Sequence, residues 1–390
     1  MSEIVWPSTS MTCRDKNNIL SFPIDHLQKR MAELHPAYFA LVMATGIVSL
    51  DCLSFGLADA ARILFVINLF AYGVLLAMYA LRARFFTAHF VADLSSHKRA
   101  FGFFTLVAAT NVLGCQVCRL AGNTSVALWL WWSGLLLWFV STYTIFVLLV
   151  VRPEKPSLEE GVNGGWLISV VATQSVCVLG SQINPCLGSA ELTALLVLCF
   201  WLFGGMLYIW LISLIFYRYM FFRFEPGDLI PPYWINMGAM AITTLAGAEL
   251  IRVFGDTSPV STMIPFVKGL TVMYWATATW WIPMLLALGV WRHGVKRFRF
   301  AYDPLYWGLV FPLGMYSVCT LRLGAVLSLP SMTGIARIFL VLGLIAWLVT
   351  FLTMAQRPLY AVLLALRSVT RSAEQNLEDE HNDAGQSIRS

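Results

Sequence analysis

The chain has 390 residues, of which 58% are hydrophobic and only 12% charged, with 26 Lys and Arg against 21 Asp and Glu. That balance is far from a water-soluble domain of this length. The net charge of +5 reads as a topology signal and not as a nucleic-acid footprint, so no nucleic-acid partner is expected.

Residues 1–34 form a polar N-terminal segment without the apolar run of a cleaved signal peptide. Within it Ile24, Leu27, Met31 and Leu34 share one helical face, which predicts a short interfacial helix. Ten stretches then reach the roughly 20 apolar residues a membrane span needs: 36–54, 62–82, 100–120, 126–151, 164–183, 191–217, 232–251, 264–291, 305–328 and 334–355. The expected fold is an all-α polytopic membrane domain over residues 35–368, since helices satisfy their own backbone in lipid. Residues 369–390 are polar and acidic, and a disordered tail is expected there.

Twenty of the 26 Lys and Arg fall on the side that holds both termini and the loops between spans 2–3, 4–5, 6–7 and 8–9. The positive-inside rule therefore predicts cytoplasmic termini in a multi-pass protein of the cell's inner (plasma) membrane.

Five of the spans repeat one pattern: an aromatic, then a four-residue box five residues on. The boxes are Met43-Ala44-Thr45-Gly46, Ala108-Ala109-Thr110-Asn111, Val171-Ala172-Thr173-Gln174, Ala239-Met240-Ala241-Ile242 and Phe311-Pro312-Leu313-Gly314, led by Tyr38, Phe103, Trp166, Trp234 and Tyr306. Their third positions are 65, 63, 68 and 72 residues apart, the length of a helical hairpin with its loops. Five copies in one orientation suggest a ring around a hole. Spans 1, 3, 5, 7 and 9 hold the Gly, Thr, Ser, Asn and Gln. Span 4, with Leu128-Trp129-Leu130-Trp131-Trp132, is apolar nearly all round. An inner ring of odd helices and an outer, lipid-facing ring of even ones follows.

On this reading Thr45, Thr110, Asn111, Thr173, Gln174 and Gly314 line the pore, the polar ones replacing part of an anion's hydration shell. The competing reading of the same hydroxyls and amides is hydrogen bonding within and between helices. Phe311, beside the helix-bending Pro312, is a candidate hydrophobic plug. Nine residues beyond the third box position lie Ser54, Arg119, Gln182, Leu250 and Arg322. With Arg252 nearby, Arg119 and Arg322 make a basic vestibule that would concentrate anions. Glu249 is a candidate for proton coupling or for pairing with Arg252 three residues on. Cys115 and Cys118 form a C-x-x-C inside span 3, read as buried small residues in preference to a redox pair.

His35-Pro36-Ala37-Tyr38-Phe39, followed by Val42-Met43-Ala44-Thr45-Gly46-Ile47-Val48-Ser49, resembles the first-helix signature of the tellurite-resistance/dicarboxylate transporter family. That family includes malate permeases, sulfite efflux pumps and slow anion channels. Trp307-Gly308-Leu309-Val310-Phe311-Pro312 is similar to the stretch that carries the gating phenylalanine of its channel branch. The resemblance implies a quasi-fivefold bundle of five hairpins, a central anion pathway in each subunit, and frequent homotrimers. The expected cargo is a C4-dicarboxylate such as malate, with a sulfite or tellurite exporter or a small-anion channel as the alternative. The expected partners are that anion, membrane lipid and further copies of the chain. No enzyme activity, metal or cofactor is expected. A membrane redox or haem protein is the competing class, but His26, His35, His89, His97, His293 and His381 all map to one side or edge of the spans, which leaves no intramembrane pair for a haem.

Overall fold

A computed structural model describes residues 28–257, 260–299 and 303–356. Ile24, Leu27 and the 369–390 segment lie outside them; Met31 sits in a helical turn, and Leu34 is buried. Among the described residues ten helices are long and apolar enough to cross a membrane: α1 (Pro36–Ser54), α2 (Ala58–Phe85), α3 (Ala100–Leu120), α4 (Thr124–Val151), α5 (Gly164–Gln182), α6 (Ala190–Phe221), α7 (Pro231–Phe254), α8 (Val260–Val295), α9 (Pro304–Val326) and α10 (Met332–Gln356). Even helices run past their expected ends. Arg62, Arg218 and Arg292 are helical residues of the terminal turns, where a charged head can reach the interface without breaking the backbone pattern.

Burial alternates along the chain. In the most apolar window of each odd helix 72–89% of residues are buried, against 22–50% in the even ones. The odd helices touch one another in cyclic order, α1 to α3, α3 to α5, α5 to α7, α7 to α9, and α9 back to α1, and α2, α4, α6 and α8 each pack on the preceding odd helix. The even helices carry their exposed Leu, Val, Trp and Phe outward, the composition a lipid-facing shell requires.

Each inner helix begins with a 3-10 turn: Pro36–Phe39, Ala100–Phe103, Gly164–Leu167, Pro231–Trp234 and Pro304–Tyr306. Pro36, Pro231 and Pro304 sit where a missing N–H costs nothing. His35, Asn163 and Asp303 cap three of the five, each accepting the backbone N–H two residues on. These starts are packed tightly. A Cβ on Gly102 would stand 2.9 Å from the Ala37 nitrogen, and one on Gly164 would stand 2.6 Å from the Tyr233 Cα.

The two rings are bonded by aromatic donors. Trp138 Nε1 of α4 donates to Thr173 Oγ1 of α5 at 2.8 Å, Trp275 Nε1 of α8 to Thr320 Oγ1 of α9 at 2.9 Å, and Trp347 Nε1 of α10 to Thr45 Oγ1 of α1 at 2.9 Å. Trp201 Nε1 of α6 donates to the Thr243 carbonyl of α7 at 2.9 Å. Thr110 Oγ1 gives its hydrogen to the Leu106 carbonyl, so the Tyr72 hydroxyl of α2, 2.9 Å away, donates to it. Every even helix is thus tied to the next odd one, and α10 to α1 closes the hoop.

Candidate functional site

The inner helices enclose a row of cavities that share one register. With the third box position as origin, the residues eight before it are Ala37, Gly102, Gly165, Pro232 and Leu305, and all five line a cavity of about 530 Å3 at the N-terminal ends of the inner helices. Five before it, Ala40, Thr105, Ile168, Ile235 and Gly308 line a tight cavity of about 20 Å3. Two and five after it, the levels Ile47, Val112, Ser175, Ile242, Met315 and Leu50, Cys115, Val178, Leu245, Val318 line a lumen of about 30 Å3, the space of about one water. Beyond it a vestibule of about 270 Å3 opens at the C-terminal ends. With Met43, Val171 and Phe311 two residues before the origin and Arg119, Gln182, Glu249 and Arg322 nine beyond it, the steps between levels are three or four residues, one face of a helix.

This register holds in α7 only if its origin is Met240, one residue earlier than the expected Ala241. The leading aromatic of that repeat is then Tyr233, and the residue nine beyond the origin is Glu249 in place of Leu250. Glu249 lines the lumen and the vestibule, while Leu250 is fully buried and lines neither.

Phe311 lies two residues before the origin, between the tight cavity that it lines with Met43 and Val171 and the lumen beyond. It is 1% exposed. The equivalent residues on α3 and α7 are Ala108 and Gly238, both small. Pro312 turns toward α7, where a Cβ on Gly238 would stand 2.7 Å from its Cγ.

The polar residues of the boxes face the other way. Thr45, Thr110 and Thr173 were expected in the lumen, but their hydroxyls meet Trp347, Tyr72 and Trp138 of the outer ring. Gln174 donates to the Trp201 carbonyl of α6 at 3.0 Å and packs against Gly204. Gly314 lies between α1 and α10, with Ile47, Val48 and Gly343 against it. Asn111 alone combines both orientations. It borders the lumen, donates to Ser175 Oγ at 3.0 Å, and fills the space over Gly134 of α4. The physical reason is satisfaction: a hydroxyl or amide inside a membrane bundle needs a partner, and the seam between rings supplies one at every turn. The lumen is left largely apolar.

The charged residues that line the row of cavities lie at its two mouths. At the C-terminal mouth Arg119, Arg252 and Arg322 surround Glu249. Glu249 Oε2 accepts from Arg252 Nη2 at 2.6 Å and Nε at 2.9 Å, and its Oε1 lies 3.4 Å from Arg322 Nε. Asp51, the other carboxylate of the odd helices, is buried beside Ser317, which donates to it at 2.9 Å. At the N-terminal mouth Lys98, Arg99 and Arg218 face Glu159, Glu160 and Asp228, with His35 among them. Burial first, then the Arg99 guanidinium, pushes the His35 imidazole down from its ordinary 6.5 to about 4. Cys115 is a buried free thiol and Cys118 a half-buried one. Among the described residues no group of three or more His, Cys, Asp or Glu could hold a metal.

The comparisons with known proteins give the family of the chain. The family SLAC1, described as voltage-dependent anion channel, matches residues 33–355. An uncharacterized membrane protein of Mycobacterium tuberculosis is 39% identical over 148 residues, 38% of this chain and 75% of its own. An uncharacterized transporter of Methanocaldococcus jannaschii is 28% identical over 72% of this chain and 81% of its own. The sulfite efflux pump SSU1 of Arthroderma benhamiae is 23% identical over 82% of this chain and 90% of its own.

Proposed function

The chain belongs to the SLAC1 family of anion channels and transporters, and on that footing we propose that it moves a small oxyanion of the sulfite class along the axis of its inner ring. The observation that carries this is the stack of levels, one residue per inner helix at each, interrupted at Phe311. Phe311 is the gate: an apolar ring between two water-sized voids excludes water and hence a hydrated ion. The five inner helix N-termini open on the N-terminal mouth, where their partial positive charge favours anions. The arginines of the other mouth supply full charges. The name of the SSU1 relatives and the narrow bore support sulfite, the alternative of the sequence analysis, over the C4-dicarboxylate expected there.

The side with 20 of 26 Lys and Arg is taken as cytoplasmic, with the protein in the plasma membrane and its five hairpins in quasi-fivefold array. A singly charged anion leaving a cell held at 100 mV, negative inside, gains about 2.3 kcal/mol, so export requires no coupled proton. Association as a homotrimer is part of the proposal and is read by native mass spectrometry.

The test is flux in proteoliposomes with sulfite, nitrate, chloride, malate and succinate, each with and without a proton gradient. Sulfite flux above that of malate, independent of the gradient and raised in Phe311→Ala, is the expected result. Flux of none of the five anions in either protein contradicts the proposal.

A further inference from the structure

Four residues of one level line both the lumen and the vestibule outside it: Arg119, Gln182, Glu249 and Arg322. If the axis carries anions, as proposed above, a fixed carboxylate in that ring is an anomaly, because it repels the cargo. Its setting resolves the anomaly. The Glu249 side chain is 3% exposed, whereas those of Arg322 and Arg252 are 25% and 53% exposed. One oxygen is held by both donors of Arg252, and the other points toward Arg322. Arg119 makes no ion pair among the described residues, and the Arg322 Nε donor lacks a hydrogen-bond partner. Three guanidinium groups therefore stand around a single carboxylate, and the capacity of Arg119 and Arg322 to bind acceptors is only partly used.

We infer that Arg119, Gln182 and Arg322 form an oxyanion-binding site at this mouth, and that Glu249 is its built-in competitor. A carboxylate and a free oxyanion present the same chemistry to a guanidinium, namely acceptor oxygens with a shared negative charge. An arriving oxyanion takes the Nε and Nη donors of Arg322, the guanidinium of Arg119 and the amide of Gln182. Glu249 then keeps only Arg252, which lies three residues further along α7 and lines the vestibule but not the lumen. The competitor lowers the affinity of the mouth without removing its positive charge. That suits a conduction path, in which an ion must bind well enough to enter and weakly enough to leave.

The test uses the full chain in lipid nanodiscs, with sulfite binding measured by titration calorimetry. Glu249→Gln keeps the shape and removes the competing charge, and it is expected to tighten sulfite binding about tenfold. Adding Arg322→Gln should remove that gain. Unchanged or weaker binding in a Glu249→Gln protein that elutes and melts like the parent overturns the inference and makes Glu249 a scaffold for the arginines. If Glu249→Gln does not fold, Glu249→Asp replaces it. The shorter side chain withdraws from Arg322 while Arg252 can follow it, so a smaller tightening is expected, and none overturns the inference. The two proposals fail separately. Tightened binding in a protein that moves no anion across liposomes contradicts the transport reading alone. Anion flux without any effect of Glu249 on binding contradicts the site alone.

Discussion

Thr173 shows how a residue can be recognised as special and still be assigned to the wrong surface. Its hydroxyl donates to the Ser169 carbonyl one turn back at 2.8 Å and accepts the Trp138 indole N–H at 2.8 Å. Thr173→Val keeps the volume and leaves that indole donor without its acceptor, an expected loss of about 1–3 kcal/mol. The melting temperature should fall while flux per folded molecule stays unchanged; reduced flux with unchanged melting would place the hydroxyl on the pathway. His35 makes a second residue-scale case. Its Nδ1 accepts the Ala37 N–H at 3.1 Å, which requires the neutral ring, and burial holds the imidazole at about 4 against an ordinary 6.5. Below 6.5 the unfolded chain binds a proton that the folded chain refuses, so this contribution to stability is complete above about 6.5 and is lost as the pH falls toward 4. His35→Asn copies the Asn163 cap of the third repeat and should flatten the melting temperature between pH 6.5 and 4. An unchanged slope would assign the acid sensitivity to other groups.

At the scale of the helix, the elements and their two classes were legible because lipid leaves few alternatives: long apolar runs are helices, and those rich in small and polar residues turn inward. The phase of α7 was not legible. The other polar boxes are anchored by a threonine, but α7 carries Met240 at that position, and Tyr233 and Trp234 both qualify as its leading aromatic. Choosing Trp234 shifts the helix by one residue and moves Glu249 off the axis. The packing of α7 on α9 can be probed where Gly238 meets Pro312. A Cβ there would stand 2.7 Å from Cγ and 3.0 Å from Cβ of a rigid ring, so Gly238→Ala must push the helices apart. The expected cost is about 1–3 kcal/mol, read as a lower melting temperature, together with a leak of anions as Phe311 moves with its helix. Wild-type melting would show that the seam has slack.

Across the whole molecule, polarity is arranged opposite to the first expectation. Most polar groups of the boxes bind the two rings together, the lumen is largely apolar between its ends, and charge gathers at the mouths. Repeats revealed the ring because sequence period survives in any fold that reuses one unit. They did not reveal which side of each helix faces the hole, because a threonine at one recurring phase serves a seam as well as a lumen. In the proposed function the levels two and five residues beyond the origin are the ion path, and Phe311 closes it. Cys115 is a native thiol at one of those levels, and Cys199 is an exposed one on α6 in the outer ring. The direct measurement is sulfite flux in a Phe311→Ala protein that retains either Cys115 or Cys199 as its only cysteine, before and after a small charged thiol reagent. The reagent is expected to stop flux through the Cys115 protein and to spare the Cys199 protein. Equal flux before and after modification of Cys115, with attachment confirmed by mass, would contradict the proposed path.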